Sequence, residues 1–318
     1  MLARGGWQLG VALLASVVLS STVPSVVLAQ GCCTPGTSAL GGLTGGPLLA
    51  GNIEAGLAVE GYDLRQAYRG NDRVADPANR RSQVLSTTFY SRIGLHKRVA
   101  AIVRLPYEYR MREQTVILGT QAFHHEFSNT ALGDLTTLVM ARVLPFRPFA
   151  SWGIQLGAGI KWATGRDDAT QDGLIIPVEL QTGTGSTDPV LALVAYQSSP
   201  RFSVSSSALA RFPREGRTGY RYGNELQLSV VGLWNWSPTL RPGIELRGRL
   251  AGADEFAGRK PVNTGGTRWM SGLRVLKEFP GLRLGVEAAF LLPLYQTMTG
   301  LQLGVDRQLS LNVRWQLR

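Results

Sequence analysis

The 318-residue sequence predicts an all-β chain: an up-and-down antiparallel barrel of about twelve strands that crosses a membrane. Three observations predict it: strict alternation at the C-terminus, a secretory leader, and tryptophans placed near strand ends. From Leu309 to Arg318 the apolar residues are Leu309, Leu311, Val313, Trp315 and Leu317. The polar ones are Ser310, Asn312, Arg314, Gln316 and Arg318. Strand side chains alternate between faces, so one surface is apolar throughout and the other polar. A final strand of this kind, with an aromatic close to its end, typifies outer-membrane barrels.

Arg4, an apolar stretch from Leu9 to Leu19 and the small residues before Ala29 match a signal peptide spanning 1–29, cut after Ala29. Export to the bacterial outer membrane is the expectation. Beyond the leader no apolar run approaches the roughly 20 residues of a spanning helix, so a membrane-embedded mature chain must cross as strands. Residues 30–51 are Gly-rich and lack alternation, which leaves them as a periplasmic tail or an inward plug. Residues 52–318 form the barrel domain.

Charged residues make up only 17% and the apolar fraction is 44%, as expected of a chain with one lipid face and one wet face. The net charge is +11, or +10 once Arg4 leaves with the leader. Export excludes nucleic acid as the partner of that charge.

Strands are predicted at 52–63, 83–95, 98–112, 132–144, 149–163, 189–198, 201–212, 223–236, 241–252, 268–279, 282–294 and 305–318. Five short connections then alternate with six long ones, at 64–82, 113–131, 164–188, 213–222, 253–267 and 295–304. Brief periplasmic turns and longer outer loops have this pattern. The short connections include His96-Lys97, Pro145-Phe146-Arg147 and Phe279-Pro280-Gly281.

Six tryptophans outside the leader, Trp152, Trp162, Trp234, Trp236, Trp269 and Trp315, all fall on the outward set as an aromatic girdle. Trp152 and Trp162 bracket Ile154, Leu156, Ala158 and Ile160, with Gly153, Gln155, Gly157, Gly159 and Lys161 inward. Ten residues at about 3.3 Å each, tilted about 40°, span on the order of 25 Å, the height of the apolar band.

The inward set is charged. It holds Arg104, Glu108 and Arg110 on the third strand, Glu245, Arg247 and Arg249 on the ninth, and Arg283 and Glu287 on the eleventh; Lys161, Arg211, Arg274 and Arg314 join them. A charge on the lipid face costs about 2–4 kcal/mol at midplane, which fixes these registers. Two readings of the wall stand together. One is a ladder of pairs with Glu54, Glu60, Glu108, Glu225, Glu245 and Glu287 that stiffens a narrow barrel. The other is an excess of bases that favours anions.

Other features carry little chemistry. Cys32-Cys33 lack CxxC spacing and a nearby His, so no metal site is assigned. His124-His125 with Glu126, Ser128 and Asn129 lie in a long connection, where adjacency alone makes no triad. Ser203, Ser205 and Ser207 read as lumen lining. No cofactor is expected.

Gly133-Asp134-Leu135-Thr136, the segment from Thr182 to Pro189, and Tyr220-Arg221-Tyr222-Gly223-Asn224-Glu225 occur in an order that resembles the outer-membrane transporter family named for the MetA pathway of phenol degradation. The resemblance implies a porin-like barrel passing small, often aromatic, compounds. It places Asp134, Asp188, Asn224 and Glu225 at the rim, pinning loops or lining the mouth. The run of inward arginines departs from a neutral aromatic substrate. The resulting expectation is a channel for passive uptake or efflux of small solutes, anionic or aromatic compounds among them. An embedded hydrolase and a closed structural barrel are the alternatives. Expected partners are outer-membrane lipids, the barrel-assembly machinery acting on the C-terminal strand, and a small-molecule solute.

Overall fold

The computed structural model describes residues 48–118, 121–143 and 151–317. The leader, the Gly-rich segment as far as Pro47 with its two cysteines, the connection at Pro145-Phe146-Arg147, and Arg318 lie outside the described residues.

The alternating segments form twelve wall strands: β1 (Ile53–Leu64), β2 (Arg81–His96), β3 (Val99–Leu118), β4 (Thr136–Arg142), β5 (Trp152–Lys161) and β6 (Asp188–Ser198), then β7 (Phe202–Arg211), β8 (Glu225–Trp234), β9 (Leu240–Ala251), β10 (Gly266–Phe279), β11 (Leu284–Leu303) and β12 (Arg307–Gln316). Each pairs antiparallel with its neighbours in sequence. β12 returns to β1, with Leu309 opposite Gly61 and Trp315 opposite Ala55, so the sheet closes without an edge. We call the end bearing the long connections the outer end.

The C-terminal alternation holds in the wall. Leu309, Leu311, Trp315 and Leu317 are 59%, 44%, 42% and 60% exposed, whereas Gln308, Asn312 and Arg314 are 1%, 6% and 9%. This polypeptide is therefore turned outside-in relative to a water-soluble domain: its exposed face is apolar and its buried face is charged. All six tryptophans point outward, and Trp162 Nε1 donates to Thr137 Oγ1 on the neighbouring strand at 3.0 Å.

Three expectations change. The connection 113–131 is no open loop: β3 continues to Leu118 and pairs with a strand at Gln121–Leu132, forming a hairpin beyond the rim. Apart from the buried Asn129, the side chains of that strand are exposed or half-buried, and its sequence carries no apolar alternation. The connections at 64–82 and 295–304 also contain strand. Ala67–Gly70 folds back onto the end of β11, which runs on to Leu303.

The second change is at Gly133-Asp134-Leu135, which interrupts the fourth wall position, so that β4 begins at Thr136 rather than at 132. The Gly133 amide donates to the Pro106 carbonyl at 2.8 Å, and the Leu135 carbonyl accepts from the Trp162 amide at 2.7 Å.

The third is Arg283, which does not line the lumen. The turn at Pro280–Leu282, with Arg283 closing it, takes two residues more than alternation implied, so β11 starts at Leu284 rather than at 282. Arg283 ends that turn with φ 52, in the left-handed region, and its side chain is exposed at the short-turn end.

Inside, the wall has a close backbone approach at Gly159. A β-carbon there would lie 2.0 Å from the Thr137 carbonyl oxygen. Gly159→Val is expected to cost about 1–3 kcal/mol through overpacking. Gly232→Val, facing lipid with nothing within 4 Å of a β-carbon, is expected to cost nothing. Urea midpoints of the refolded barrel, read by heat-modifiable gel mobility, check this; equal midpoints would refute the register.

Candidate solute path and outer cavity

Three groups of side chains fill the interior. The first is a chain of alternating charge around the outer end. Lys161 Nζ lies 2.7 Å from Asp134 and 3.1 Å from Asp188. Arg211 continues it, 3.7 Å from Asp188 and 2.9 Å from Glu225, and Arg249 closes it 2.6 Å from Glu225. The six groups come from the break before β4 and from β5, β6, β7, β8 and β9, so the chain runs around about half the wall.

The second is deeper. Arg247 donates to Glu245 at 2.8 Å and to Glu60 at 3.1 Å. Arg274 contacts Glu245 at 2.7 Å and also pairs with Glu287. Glu60 stands on β1 and Arg247 on β9, which are separated by three intervening strands, so this pair spans the lumen as a chord. The Tyr62 hydroxyl donates to Glu60 at 3.2 Å and accepts from Gln308 at 3.1 Å. Nearer the short turns, Arg92 meets Glu54 at 3.1 Å, Tyr90 donates to Asn312 at 3.0 Å, and Arg314 pairs with Glu278.

The third group is apolar. Ile102, Leu138, Met140, Val190, Ala192 and Val194, with Leu209 against them, form a strip on the inner face of β3, β4, β6 and β7. Gly153, Gly157 and Gly159 point inward as alternation implied, and Tyr196, Met140 and Leu138 pack over them. A second apolar cluster, including Tyr62, Leu64, Val84, Met270, Leu291 and Leu303, fills the opposite side toward the outer end.

Between the charge chain and the strip lies a cavity of about 130 Å³. Its cations are Arg104, Arg110, Lys161, Arg211 and Arg249; its acids are Glu108, Asp134 and Glu225; Pro106, Val190 and Leu209 supply apolar wall. Each of these acids is already engaged. Glu108 accepts from Arg110 at 2.5 Å, and Glu225 takes Arg211, Arg249 and Gln227.

The connection between β5 and β6 folds inward over this cavity. Arg110 donates to the Glu179 carbonyl at 2.9 Å, Asn129 to the Leu180 carbonyl at 2.9 Å, and Tyr222 to the Val178 carbonyl at 3.1 Å. Ala169, Ile176 and Leu180 pack together against Phe127. Gly183 lies against Gly165, where a β-carbon would sit 2.3 Å from backbone. Asp134 gathers the ends of this connection, accepting from the Gly165 amide at 2.9 Å, the Thr184 amide at 2.9 Å and the Thr184 hydroxyl at 2.8 Å.

Of the inward residues read from sequence, Arg104, Glu108, Arg110, Lys161, Arg211, Glu245, Arg247, Arg249, Arg274 and Glu287 all reach the interior. Asp134, Asp188 and Glu225 meet in the charge chain, but Asn224 does not. Its side chain is exposed, and only its carbonyl is used, accepting from the Gly252 amide at 2.8 Å. Among the described residues that are fully buried the acids number eleven and the bases nine, several of the acids entering from connections, while the inward bases Arg211 and Arg249 are half-buried. Alternation missed the acids that enter from connections, Asp134, Asp167 and Asp254. Arg268, buried beside Trp269, was legible from that tryptophan's outward position. His125 packs edge-on against Phe127 at 4.2 Å, and neither His124 nor His125 shares a hydrogen bond with a serine or carboxylate among the described residues.

The architecture has known counterparts. An outer-membrane channel from Pseudomonas putida F1 superposes with TM-score 0.63 at 13% identity, over 89% of this chain and 99% of that one. A FadL homologue from Pseudomonas aeruginosa gives TM-score 0.48 at 10% identity, covering 91% and 100%. The toluene transporter TbuX of Ralstonia pickettii gives 0.40 at 8% identity, covering 85% and 90%. The first of these likenesses establishes the barrel fold, and the fold alone. No protein-family model and no curated protein matches the sequence.

Asp134 lies outside the wall strands, so its titration reads the loop anchor directly. Burial opposes its charged form, but the Lys161 ammonium and the Gly165 and Thr184 donors outweigh burial and hold the carboxyl below its usual range. A depressed folded-state pKa adds stability above the ordinary carboxylate value, lost as pH falls through the folded value. Protection of the Gly165 and Thr184 amides, corrected for intrinsic exchange, is therefore expected to persist at pH 7 and to fall in acid below about pH 4. In Asp134→Asn, the same amides are expected to exchange about tenfold faster at pH 7. Unchanged protection would show that Asp134 is no anchor.

Proposed function

We propose that this chain is an outer-membrane channel through which small solutes, anionic or aromatic compounds among them, diffuse passively. The observation that carries the reading is the pairing of a closed barrel, apolar outside, with an inner cavity lined by five cations and three already engaged acids. Lipid contacts the outer face, and the leader directs export. The strictly alternating β12 is the segment the assembly machinery would read. No step of this reading needs a catalytic group.

The order of the Gly133, Thr182 and Tyr220 segments supports kinship with the family of the MetA pathway of phenol degradation. The apolar strip beside the cavity supports solutes with an aromatic body, and the cations support a negative charge on them. A permanently closed structural barrel is the second reading, favoured by the Glu60–Arg247 pair that spans the lumen.

Reversal potentials of the purified protein in planar bilayers under a potassium chloride gradient test both readings. Anion-favouring current is expected. Cation preference would overturn the proposed selectivity, and absence of current at all voltages would favour the closed barrel.

A further inference from the structure

We propose that the Glu60–Arg247 pair is an exchangeable bolt, released when the carboxylate of a small monocarboxylate with an apolar body takes the place of the Glu60 carboxylate on Arg247. The inference rests on the channel reading above and names the solute class and the step that admits it.

The geometry lets the link part without stranding a charge. Only one arm of Arg247, Nη1, reaches Glu60; its Nε and Nη2 stay on Glu245 at 3.1 Å and 2.8 Å. Glu60 in turn keeps the Tyr62 hydroxyl at 3.2 Å and stands within electrostatic reach of Arg104. Removing one member of a buried ion pair outright costs about 3–5 kcal/mol. Replacing a carboxylate by a carboxylate avoids that cost, because the guanidinium stays paired throughout. A neutral solute cannot make the exchange, and a cation is repelled by the guanidinium it would have to pass.

The cavity above prepares the solute for this step. Arg249 lies two residues beyond Arg247 on the same inner face of β9, and its Nη2 is buried with no hydrogen-bond partner among the described residues. Its free arm is a first station for a carboxylate. Pro106, Val190 and Leu209 form the apolar side of the same cavity. A volume of about 130 Å³ suits one aromatic ring, since a dry cavity of about 150 Å³ takes up benzene. Benzoate therefore represents the class, with acetate lacking the body and benzyl alcohol lacking the charge.

The test uses the full chain, folded in detergent for calorimetric titration and in planar bilayers for current. Benzoate is expected to bind about tenfold more tightly than benzyl alcohol, the worth of one charged hydrogen bond. Glu60→Gln removes the internal competitor, so benzoate affinity is expected to rise about tenfold and chloride current to increase. Arg247→Gln is expected to lose benzoate binding. Leu209→Ser is expected to weaken benzoate while leaving acetate unchanged, an arm that does not disturb the bolt. Heat-modifiable mobility confirms that each variant is folded. Equal benzoate affinity in wild type and Glu60→Gln, or equal binding of benzoate and benzyl alcohol, overturns the exchange even if the protein conducts. Absence of current in every variant overturns the channel reading instead, and the titrations still decide the exchange.

Discussion

Each charged side chain on a wall strand has two directions available, and lipid closes one of them. The inward side must then accommodate all of the charge, and a narrow barrel offers little water to solvate it. Pairing is the remaining solution. The consequence is visible in the contacts: the groups that connect Asp134 to Arg249 and Glu60 to Glu287 are continuous chains, not isolated pairs. Such a chain couples its strands. Losing one member leaves its neighbours underpaired, so the chain at the outer end stiffens its half of the mouth and positions the connection folded over it.

The same constraint makes the lumen two-sided. At the depth of Glu245 the charged groups stand on β9, β10, β11 and β1, while the inner faces of β4 and β6 carry Leu138, Met140, Val190, Ala192 and Val194. A solute moving between these surfaces can present a polar group to one and an apolar body to the other. Purely hydrophobic molecules would have to displace ordered polar contacts on the charged side. Strongly hydrated ions would gain nothing from the strip. An amphipathic anion satisfies both surfaces.

Alternation was enough to read the twelve strands and their facing, because lipid enforces the two-residue period wherever a strand crosses. It failed where that enforcement stops. The strand at Gln121–Leu132 is exposed over most of its length, so its sequence reads as a loop. Alternation also says where a residue points but not what covers it. Gly153, Gly157 and Gly159 read as inward, but nothing in the pattern tells that Tyr196, Met140 and Leu138 lie over them. Glu60 was recognisable as an inward acid. That its partner is Arg247, 187 residues away and across the lumen, depends on barrel diameter and stagger, which no local pattern encodes. Asp134 carried a signal in its Gly-Asp pair, but its four donors come from two stretches of chain, 161–165 and Thr184, the second of them 50 residues away.

The formal charge of +11 also has to be placed, and the buried interior does not hold it. Among the described residues, exposed bases stand at both ends. Lys97, Arg98, Arg201 and Arg283 mark the short-turn end, and Arg65, Arg69, Arg73, Arg214, Arg259 and Lys260 the outer end. Exposed charges act over about a Debye length, roughly 8 Å at physiological salt, so each rim raises the local concentration of anions without binding any one of them. An anion is thus attracted at either mouth and meets balanced charge between. Such a charge profile is alike at its two ends and carries no built-in direction.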